Sequence, residues 1–298
     1  MRDALRLAAP AKLNLYLRVL GRRPDGYHEI ETLFERIDLA DELTLAPDAE
    51  LTLTCSDASL SCGEENLVMK AARLLRQASG TSDGARIHLD KRIPIAAGLG
   101  GGSSDAAATL VGLNELWGLH WPRARLAGLA ARLGSDVPFF LVETPFAIGR
   151  GRGEACEPIP EAPRLAQVLV APPERLSTSE VYAGARFDLT APRPSISMVA
   201  HALCNGSLGE LAKGLWNDLE PEAIRRCPVL ATIQALLRDG GCVGTLVSGS
   251  GPAVFGLCTD ARHAQAVVDG MRNRSARSWR IEIVQTDSPS PVVTPALP

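Results

Sequence analysis

The chain has 298 residues, of which 46% are hydrophobic and 22% are charged, and its formal net charge is −3. This length allows one large domain or two smaller ones with buried cores. The weak negative charge argues against electrostatic binding of nucleic acid. The seven cysteines are odd in number and form no CxxC pair, which disfavours a disulfide framework or a zinc site and favours reduced thiols in the cytoplasm.

The sequence predicts neither a signal peptide nor a membrane span. The N-terminus lacks a long apolar stretch. The most apolar windows, 167–173 and 244–257, are too short or too interrupted by glycine to cross a bilayer. We therefore expect a cytoplasmic protein, either monomer or homodimer, that binds small molecules rather than nucleic acid or membrane.

Strands and helices are both predicted in the first half of the chain. Alternation of apolar and polar residues predicts strands over 2–20, 29–39, 41–46, 51–55, 86–90 and 146–153. Apolar residues at helical spacing, or an alanine-rich composition, predict helices over 66–77, 103–116 and 123–133. Turns are predicted at 22–26 and 135–138, where Pro, Asp and Gly cluster.

The second half of the chain follows a proline-rich stretch, 157–164, that we predict to be a linker. Strands are predicted beyond it over 166–171, 245–248, 253–257 and 279–285, and helices over 179–184, 195–203, 208–215, 229–239 and 260–273. Runs of strands followed by helices favour the α+β class. We predict one domain over 1–157, a second over 158–286, and a disordered tail over 287–298, which is rich in Pro, Ser and Thr.

A run of glycines lies between a predicted strand and the alanine-rich helix. Its residues are Pro94, Ile95, Ala96, Ala97, Gly98, Leu99, Gly100, Gly101, Gly102, Ser103 and Ser104. Glycines let a backbone approach a ligand closely, and the first amides of a helix lack intrahelical partners at the positive end of its dipole. A triphosphate such as that of ATP fits this position. The serine hydroxyls can bind phosphate oxygens, and Ser104 is our candidate ligand for a phosphate-bound Mg²⁺.

Two familiar phosphate motifs are absent from this run. No lysine follows the glycines, as a Walker A loop requires. Ser103 stands where a dinucleotide motif needs its third glycine, and the acidic residue expected about 20 positions later is missing. A nicotinamide-dependent oxidoreductase is therefore a disfavoured alternative. A purely structural strand-to-helix turn is another, although three consecutive glycines make such a turn entropically costly.

Three ordered motifs resemble the superfamily of galactokinase, homoserine kinase, mevalonate kinase and phosphomevalonate kinase. They lie at 10–15, 98–104 and 248–256. Within the superfamily the chain most resembles the 4-diphosphocytidyl-2-C-methyl-D-erythritol kinases of the non-mevalonate isoprenoid pathway. That resemblance extends from 10 to 285 and is carried by segments 11–15 (AKLNL), 26–29 (GYHE), 134–140 (GSDVPFF) and 217–220 (NDLE).

The resemblance implies that ATP, with Mg²⁺, phosphorylates the 2-hydroxyl of 4-diphosphocytidyl-2-C-methyl-D-erythritol. It also implies an N-terminal α+β domain similar to a ribosomal-protein domain and a C-terminal ferredoxin-like domain, with the active site between them. Lys12 and Asp136 would be the catalytic pair. Asp136 can accept the proton of the attacking hydroxyl, and Lys12 can lower a neighbouring pKa or neutralise developing charge. From the residues alone, Asp136 equally suits an Asx turn or a helix cap, and Lys12 a solvated strand position.

The same resemblance assigns the remaining site residues. Tyr27 and His28 would bind the cytidine, and Tyr182 would stack on its base, which suits a flat amphipathic ring. Asn14, on the strand face of Lys12, would contact the polyol or Asp136. Further candidates are Thr178, Gly249, Ser250 and Gly251 for the substrate, and Asn66 for the nucleotide base. The structural alternatives are an interior position for Tyr182, a β-turn between strands for Gly249, Ser250 and Gly251, and a helix cap for Asn66.

Two functional alternatives stay open at this point. The first is another kinase of the superfamily that acts on homoserine, mevalonate or a sugar, against which the Gly26-Tyr27-His28-Glu29 segment argues. The second is a nucleotide-binding module without catalysis, which would bind ATP but transfer no phosphate.

Overall fold

The computed structural model describes residues 3–188, 190, 192–272, 274–287 and the backbone of 294–295. The first ten elements are β1 (Leu5–Arg22), β2 (His28–Asp48), β3 (Leu51–Cys55), α1 (Leu67–Ser79), β4 (Gly84–Asp90), α2 (Gly101–Leu116), α3 (Arg123–Leu133), a 3-10 helix (Val137–Leu141), β5 (Phe146–Arg150) and β6 (Ala155–Ile159). They are followed by β7 (Ala166–Ala171), α4 (Thr178–Gly184), α5 (Ile196–Cys204), α6 (Leu208–Gly214), β8 (Trp216–Asn217), α7 (Glu220–Arg226), α8 (Val229–Asp239), β9 (Gly244–Val247), β10 (Val254–Cys258), α9 (Ala261–Met271), β11 (Arg280–Gln285) and β12 (Thr294–Pro295).

The N-terminal sheet has the strand order β12-β1-β2-β4-β3, with β5 and β6 continuing from β2. Because β2 is 21 residues long, its first half pairs with β5 and its second half with β4. Helices α1 and α2 pack against each other and share one apolar core with this sheet. Small side chains let α2 lie close to the sheet, since a β-carbon built on Gly112 would lie 2.9 Å from Leu7 Cδ1.

The C-terminal sheet is antiparallel with the order β11-β7-β10-β9. In chain order its strands therefore stand as 4-1-3-2, the arrangement of a ferredoxin-like β-α-β-β-α-β unit. Helices α8 and α9 cover one face of the sheet. The α+β class and the two kinds of domain predicted from the sequence are thus both found in the structure.

The opposite face of the C-terminal sheet packs against the N-terminal domain. Strand alternation divides the side chains of β7 and β10 between the two faces. Val168 and Val254 face α8 and α9, whereas Leu169 and Phe255 enter a second core together with Leu13 of β1. Strand β8 also joins the N-terminal sheet by pairing in parallel with β1. The two domains consequently share a buried apolar interface beside the strand that carries Lys12.

Several sequence predictions differ from the observed elements. The strand predicted over 146–153 ends at Arg150, because Gly151 and Gly153 form a tight turn with positive φ. The predicted linker over 157–164 begins inside β6, where Ile159 pairs with Phe146. The domain division at 157/158 remains a prediction, although β6 crosses it. Elements β8 and α7 were not predicted.

The disordered tail predicted over 287–298 falls largely outside the described residues, which exclude 288–293 and 296–298. Asp287 is described, and its carboxylate accepts a hydrogen bond from the buried Arg36 guanidinium at 3.2 Å. A buried guanidinium requires such a partner. The backbone of 294–295 pairs with β1. Among the described residues, we find no helix with the length and apolar character that a bilayer crossing demands.

Candidate active site

A cleft of about 1380 Å³ lies between the two domains. Its volume exceeds the roughly 300–1,000 Å³ typical of a single small-ligand site, so it has room for two substrates. The predicted site residues that line it are Lys12, Asn14, Tyr27, His28, Asn66, Pro94, Ile95, Ala96, Ala97, Gly98, Leu99, Gly100, Gly101, Gly102, Ser103, Asp136, Thr178, Tyr182, Gly249 and Ser250. Ser104 and Gly251 lie outside this lining.

The phosphate loop, residues 94–100, has a backbone suited to an anion. Ala96, Gly98 and Gly100 have φ values of 55°, 77° and 70°, so left-handed residues alternate along it. Such alternation turns successive amides toward one point and forms a concave anion-binding nest. Gly100 is the N-cap residue of α2, no side chain caps that helix, and the Ser104 amide donates to the Gly100 carbonyl oxygen at 2.9 Å. The helix amides before Ser104 are therefore available to a ligand.

A second glycine loop, residues 248–253 between β9 and β10, supports the phosphate loop from the C-terminal domain. The Ser248 hydroxyl donates to the Gly98 carbonyl oxygen at 3.1 Å, and the Ala253 amide donates to that of Ala97 at 3.0 Å. A β-carbon built on Gly98 would lie 2.2 Å from the Ser248 carbonyl oxygen and 2.9 Å from the Gly251 nitrogen. Gly251, predicted as a substrate contact, thus lies behind Gly98.

Lys12 connects the phosphate loop to Asp136. Its amide donates to the Leu99 carbonyl oxygen at 2.9 Å, and a β-carbon built on Gly100 would lie 2.9 Å from Lys12 Cγ. Its ammonium Nζ is 3.7 Å from Asp136 Oδ2. The side chain is 5% exposed. Burial lowers the pKa of Lys12, while the charge of Asp136 opposes that shift.

Asn14 orients the Lys12 ammonium. Lys12 Nζ donates to Asn14 Oδ1 at 2.5 Å, and Asn14 Nδ2 donates to Thr32 Oγ1 at 2.8 Å. The Thr32 hydroxyl donates in turn to the Tyr16 carbonyl oxygen at 2.7 Å. This chain of hydrogen bonds fixes the Asn14 amide so that its oxygen faces the lysine. Thr32 was not predicted, since a threonine on a buried strand gives no distinctive signal.

Asp136 occupies the start of the 3-10 helix without capping it. Its side chain makes no capping hydrogen bond, although its position matches that of a helix cap. The carboxylate is about one-third exposed and lines the cleft. It therefore has an oxygen facing the cleft and a cation behind it, an arrangement that suits a proton acceptor.

Aromatic side chains gather at the other end of the cleft. The rings of His28 and Tyr182 stack with centroids 5.0 Å apart, and Phe187 meets His28 edge-on at 5.4 Å. Burial, assisted by the charge of Arg22, lowers the pKa of His28, so its ring is neutral near pH 7. Burial also raises the pKa of Tyr182. Phe187 was missed because it lies in an irregular segment after α4, where no periodicity identifies it.

Tyr27 and an unpredicted arginine face each other across the cleft wall. Tyr27 is 53% exposed, and the Arg152 guanidinium carbon lies 4.8 Å from its ring centroid. Arg152 belongs to the turn between β5 and β6, where glycines flank it on both sides. That pattern, an arginine between two turn glycines, is the one sequence signal that pointed to it.

The remaining predicted residues hold parts of the cleft together. Thr178 Oγ1 lies 2.8 Å from Ser250 Oγ and so joins α4 to the second glycine loop. Asn66 Oδ1 accepts the Val68 amide at 2.9 Å, which makes it the N-cap of α1, and the residue also lines the cleft. The helix-cap interpretation of Asn66 is therefore confirmed, and its contact with the nucleotide base stays a prediction.

A buried charge cluster lies beneath the phosphate loop. Lys91 pairs with Asp105 at 2.9 Å and also with Asp41. Burial raises the pKa of Asp105 to about 7. The charge of Asp41 adds to this shift, whereas the charge of Lys91 opposes it. Lys91 and Asp105 both line the cleft. No group of three His, Cys, Asp or Glu side chains with the geometry of a metal site occurs in the described part of the chain.

Comparisons with known proteins show the family of the chain. The family models for the GHMP kinases N terminal domain and the GHMP kinases C terminal domain match residues 66–144 and 199–277. A 4-diphosphocytidyl-2-C-methyl-D-erythritol kinase from Pelotomaculum thermopropionicum is 46% identical, with 87% of this chain and 91% of the relative aligned. The corresponding kinase from Symbiobacterium thermophilum is 42% identical, with 90% and 96% aligned.

Solved structures give the same result. A crystal structure of a 4-(cytidine 5′-diphospho)-2C-methyl-D-erythritol kinase is similar, with a TM-score of 0.78 and 38% identity, and 94% of this chain and 98% of that chain are covered. A homoserine kinase from Cytophaga hutchinsonii also reaches a TM-score of 0.78, with 99% and 98% covered. At 20% identity, that second likeness shows the fold alone.

Proposed function

Because the chain belongs to the GHMP kinases and, among them, to the family of 4-diphosphocytidyl-2-C-methyl-D-erythritol kinases, we propose that its cleft transfers the γ-phosphoryl group of ATP to the 2-hydroxyl of 4-diphosphocytidyl-2-C-methyl-D-erythritol. One observation carries the proposal. Lys12 contacts the phosphate loop and lies 3.7 Å from Asp136, so a phosphate site and a proton acceptor meet within one cleft.

ATP would place its polyphosphate on the amides of the phosphate loop and of the first turn of α2. Phosphoryl transfer depends mainly on alignment of the donor and acceptor and on stabilisation of charge. The loop supplies both through its fixed amides, which need no reorganisation during the reaction. Asn66, which also lines the cleft, would contact the nucleotide base.

The acceptor hydroxyl would lose its proton to Asp136 as it attacks the γ-phosphorus. Lys12 would then balance the negative charge that develops between Asp136 and the transferred group. The low exposure of Lys12 strengthens this interaction, because little water screens it. Asn14 would keep the ammonium turned toward the reacting groups.

The cytidine end of the acceptor would bind among His28, Tyr182 and Phe187. Aromatic rings offer stacking to the cytosine base. A neutral histidine can donate through one ring nitrogen and accept through the other, which matches the edge of cytosine. Tyr27, Thr178, Gly249 and Ser250 would contact the rest of the acceptor.

We propose Mg²⁺ as the partner of ATP. The Ser104 hydroxyl oxygen is buried without a hydrogen-bond partner in the described chain, in the first turn of α2. A hydroxyl oxygen is a suitable ligand for this hard cation. The unpartnered oxygen supports Ser104 as that ligand, although the residue lies just outside the cleft lining. When bound, Mg²⁺ neutralises charge on the phosphates of ATP.

The test is transfer of radiolabelled γ-phosphate from ATP to the diphosphocytidyl acceptor. Replacing Asp136 by Asn should lower kcat by roughly 10² to 10⁴ because the proton acceptor is lost, while the Kd for ATP, measured by calorimetry, stays unchanged. Asp83→Asn, at an exposed carboxylate outside the cleft lining, is the control. Normal turnover by Asp136→Asn would remove its assigned role. Transfer to homoserine or mevalonate instead of the acceptor would contradict the proposed substrate.

A further inference from the structure

Residues 217–220, the Asn-Asp-Leu-Glu segment noted in the sequence, have no part in the transfer described above. They connect β8 to α7 in the C-terminal half of the chain. Of these four residues only Leu219 is in the cleft lining. Their polar groups nevertheless form hydrogen bonds to strand β1, to strand β9 and to the second glycine loop.

The Asn217 side chain makes three hydrogen bonds to backbone groups. Its Nδ2 donates to the carbonyl oxygens of Val247 at 2.8 Å and Gly249 at 2.7 Å, and its Oδ1 accepts the Leu219 amide at 2.9 Å. The residue is 6% exposed. A buried amide that satisfies three backbone groups fixes their relative positions, because each would be left unpaired by a shift.

One of those partners, Gly249, lies beside the lysine of the proposed reaction. A β-carbon built on Gly249 would lie 3.2 Å from Lys12 Nζ and 3.1 Å from Asn14 Oδ1. The Gly249 backbone therefore lies close beside the ammonium of Lys12 and the amide of Asn14. Asn217 holds the carbonyl group of that same residue.

The other residues of the segment tie it to the strand that carries Lys12. The Asp218 amide donates to the Leu17 carbonyl oxygen at 2.9 Å, and Asp218 Oδ2 accepts the Val19 amide at 2.8 Å. Glu220 Oε2 accepts the Val247 amide at 2.8 Å. The segment is thus bonded on one side to β1 and on the other to β9 and the second glycine loop.

We propose that Asn217 is a positioning residue for phosphoryl transfer. By holding the Gly249 carbonyl group, it keeps Gly249 against the Lys12 ammonium and so sets that ammonium relative to the phosphate loop and Asp136. The inference rests on the proposed function, because it assigns Asn217 to the lysine of that reaction. A displacement of about 1 Å of a catalytic group can lower a rate by roughly 10²-fold.

The experiment compares two isosteric substitutions. Asn217→Asp keeps the oxygen that accepts the Leu219 amide but turns both donors into an acceptor facing two carbonyl groups. Asn114→Asp is the matched control, because Asn114 is also buried and also bonds backbone groups, both of Trp121, away from the cleft lining. We measure kcat and KM for transfer to the diphosphocytidyl acceptor, the Kd for ATP, and the thermal unfolding midpoint.

We expect Asn217→Asp to lower kcat at least about 10-fold with the Kd for ATP within about 3-fold of the wild type. Asn114→Asp should lower the unfolding midpoint similarly yet leave kcat within about 2-fold. Equal kcat in the two variants, or a kcat loss matched by an equal loss of ATP affinity, would overturn the inference. Absence of transfer by the wild-type enzyme would instead contradict the proposed function.

A second variant tests the inference if Asn217→Asp fails to fold, a failure that circular dichroism would reveal. Gly249→Ala introduces a β-carbon between Asn14 and Lys12 at a residue with φ of 55°. It disturbs the same contact from the other side and should also reduce kcat more than ATP affinity. If Gly249→Ala retains the wild-type kcat, the contact with Lys12 does not position the lysine, and the inference fails.

Discussion

The Lys12 ammonium is a buried charge that lies between Asp136 and the phosphate loop. An isolated ammonium is costly to bury, and its desolvation is tolerated only where hydrogen bonds and an opposite charge accompany it. Asn14 and Asp136 provide these on one side, while the phosphate loop leaves the other side for the charge of a nucleotide. The phosphates of a nucleotide bound at that loop would complete the surroundings of this lysine.

Glu35 is a buried acid, and unlike Lys12 it lies outside the cleft lining. It is fully buried on β2, and its oxygens accept hydrogen bonds from Thr286 Oγ1 at 2.6 Å and Gln167 Nε2 at 2.7 Å. Burial raises the pKa of Glu35 to about 7, although both hydrogen bonds lower it. The unfolded chain would titrate near 4.5, so between these values the folded chain holds the proton more tightly.

This difference predicts a pH dependence of stability. The contribution of Glu35 to the free energy of unfolding is most favourable below pH 4.5 and falls by about 3 kcal/mol as pH rises to 7. Glu35→Gln has no such titration. Its free energy of unfolding relative to the wild type should therefore increase by roughly 2 to 3 kcal/mol between pH 5 and pH 8, measured by urea unfolding.

The control for the Glu35 experiment is Glu143→Gln, at a side chain that is 81% exposed. That variant should show the same stability difference from the wild type at both pH values. A constant difference for Glu35→Gln as well would mean that Glu35 is ionised in the folded protein throughout this range.

At the scale of elements, the phosphate loop and the second glycine loop form one unit. Their contact is made of backbone atoms, because Gly98 leaves no room for a side chain against Ser248 and Gly251. Hydrogen bonds from the Ser248 hydroxyl and the Ala253 amide complete it. The shape of the nucleotide site in the N-terminal domain thus depends on a loop of the C-terminal domain.

Two alanine substitutions test this dependence. Gly98→Ala would place a β-carbon 2.2 Å from the Ser248 carbonyl oxygen at a left-handed residue, so the two loops must separate. We expect a loss of at least about 2 kcal/mol in the free energy of unfolding and at least about 10-fold in ATP affinity. Thermal unfolding and calorimetric titration with ATP provide the measurements.

Gly102→Ala is the matched control for Gly98→Ala. Its β-carbon would meet only Leu67 Cδ1 at 3.5 Å, an ordinary contact, within the first turn of α2. Alanine favours a helix over glycine by about 1 kcal/mol, so this variant should be as stable as the wild type or more so. Equal stability of the two variants would show that the loops do not require contact at Gly98.

At the scale of the whole molecule, the two domains share an apolar core. It contains Leu13 and Leu15 of β1 together with Leu169 of β7 and Phe255 and Leu257 of β10. Domains joined by a large hydrophobic interface are not expected to move or unfold independently. This rigidity suits a cleft that is lined by residues of both domains.

The shared core predicts a single unfolding transition. Pulsed hydrogen exchange in urea should show protection of β4 and of β10 lost at one midpoint, since each domain buries side chains of the other. Phe255→Ala, a truncation in the shared core, should lower the free energy of unfolding by about 3 to 5 kcal/mol and so shift both midpoints together to lower urea concentration. Two separate midpoints, or a shift confined to β10, would show that the domains unfold as independent units.

Several properties of the whole molecule stay predictions. Cytoplasmic location, the choice between monomer and homodimer, and the lack of nucleic-acid binding rest on composition and charge rather than on a described contact. The domain boundary near 157 also stays a prediction. It follows a composition change in the sequence, whereas strand pairing continues across it to Ile159.

The sequence by itself determined the features that depend on neighbouring residues. The alanine-rich helix after the glycines, the β1 strand with Lys12 and Asn14 on one face, and the turn at Asp136 all follow from local conformational preferences and short-range periodicity. The motif order identified the family for the same reason, since each motif is a short continuous segment.

Only the tertiary structure decided which of these segments meet and what each polar group faces. It placed Arg152 and Phe187 in the cleft, left the Asp136 carboxylate free of the helix cap that its sequence also suits, and set Gly251 behind Gly98. It also joined Asn217 to Gly249 across more than 30 residues of chain. These outcomes depend on contacts between distant segments, whose geometry is fixed by the packing of the two sheets and is not encoded in any one local pattern.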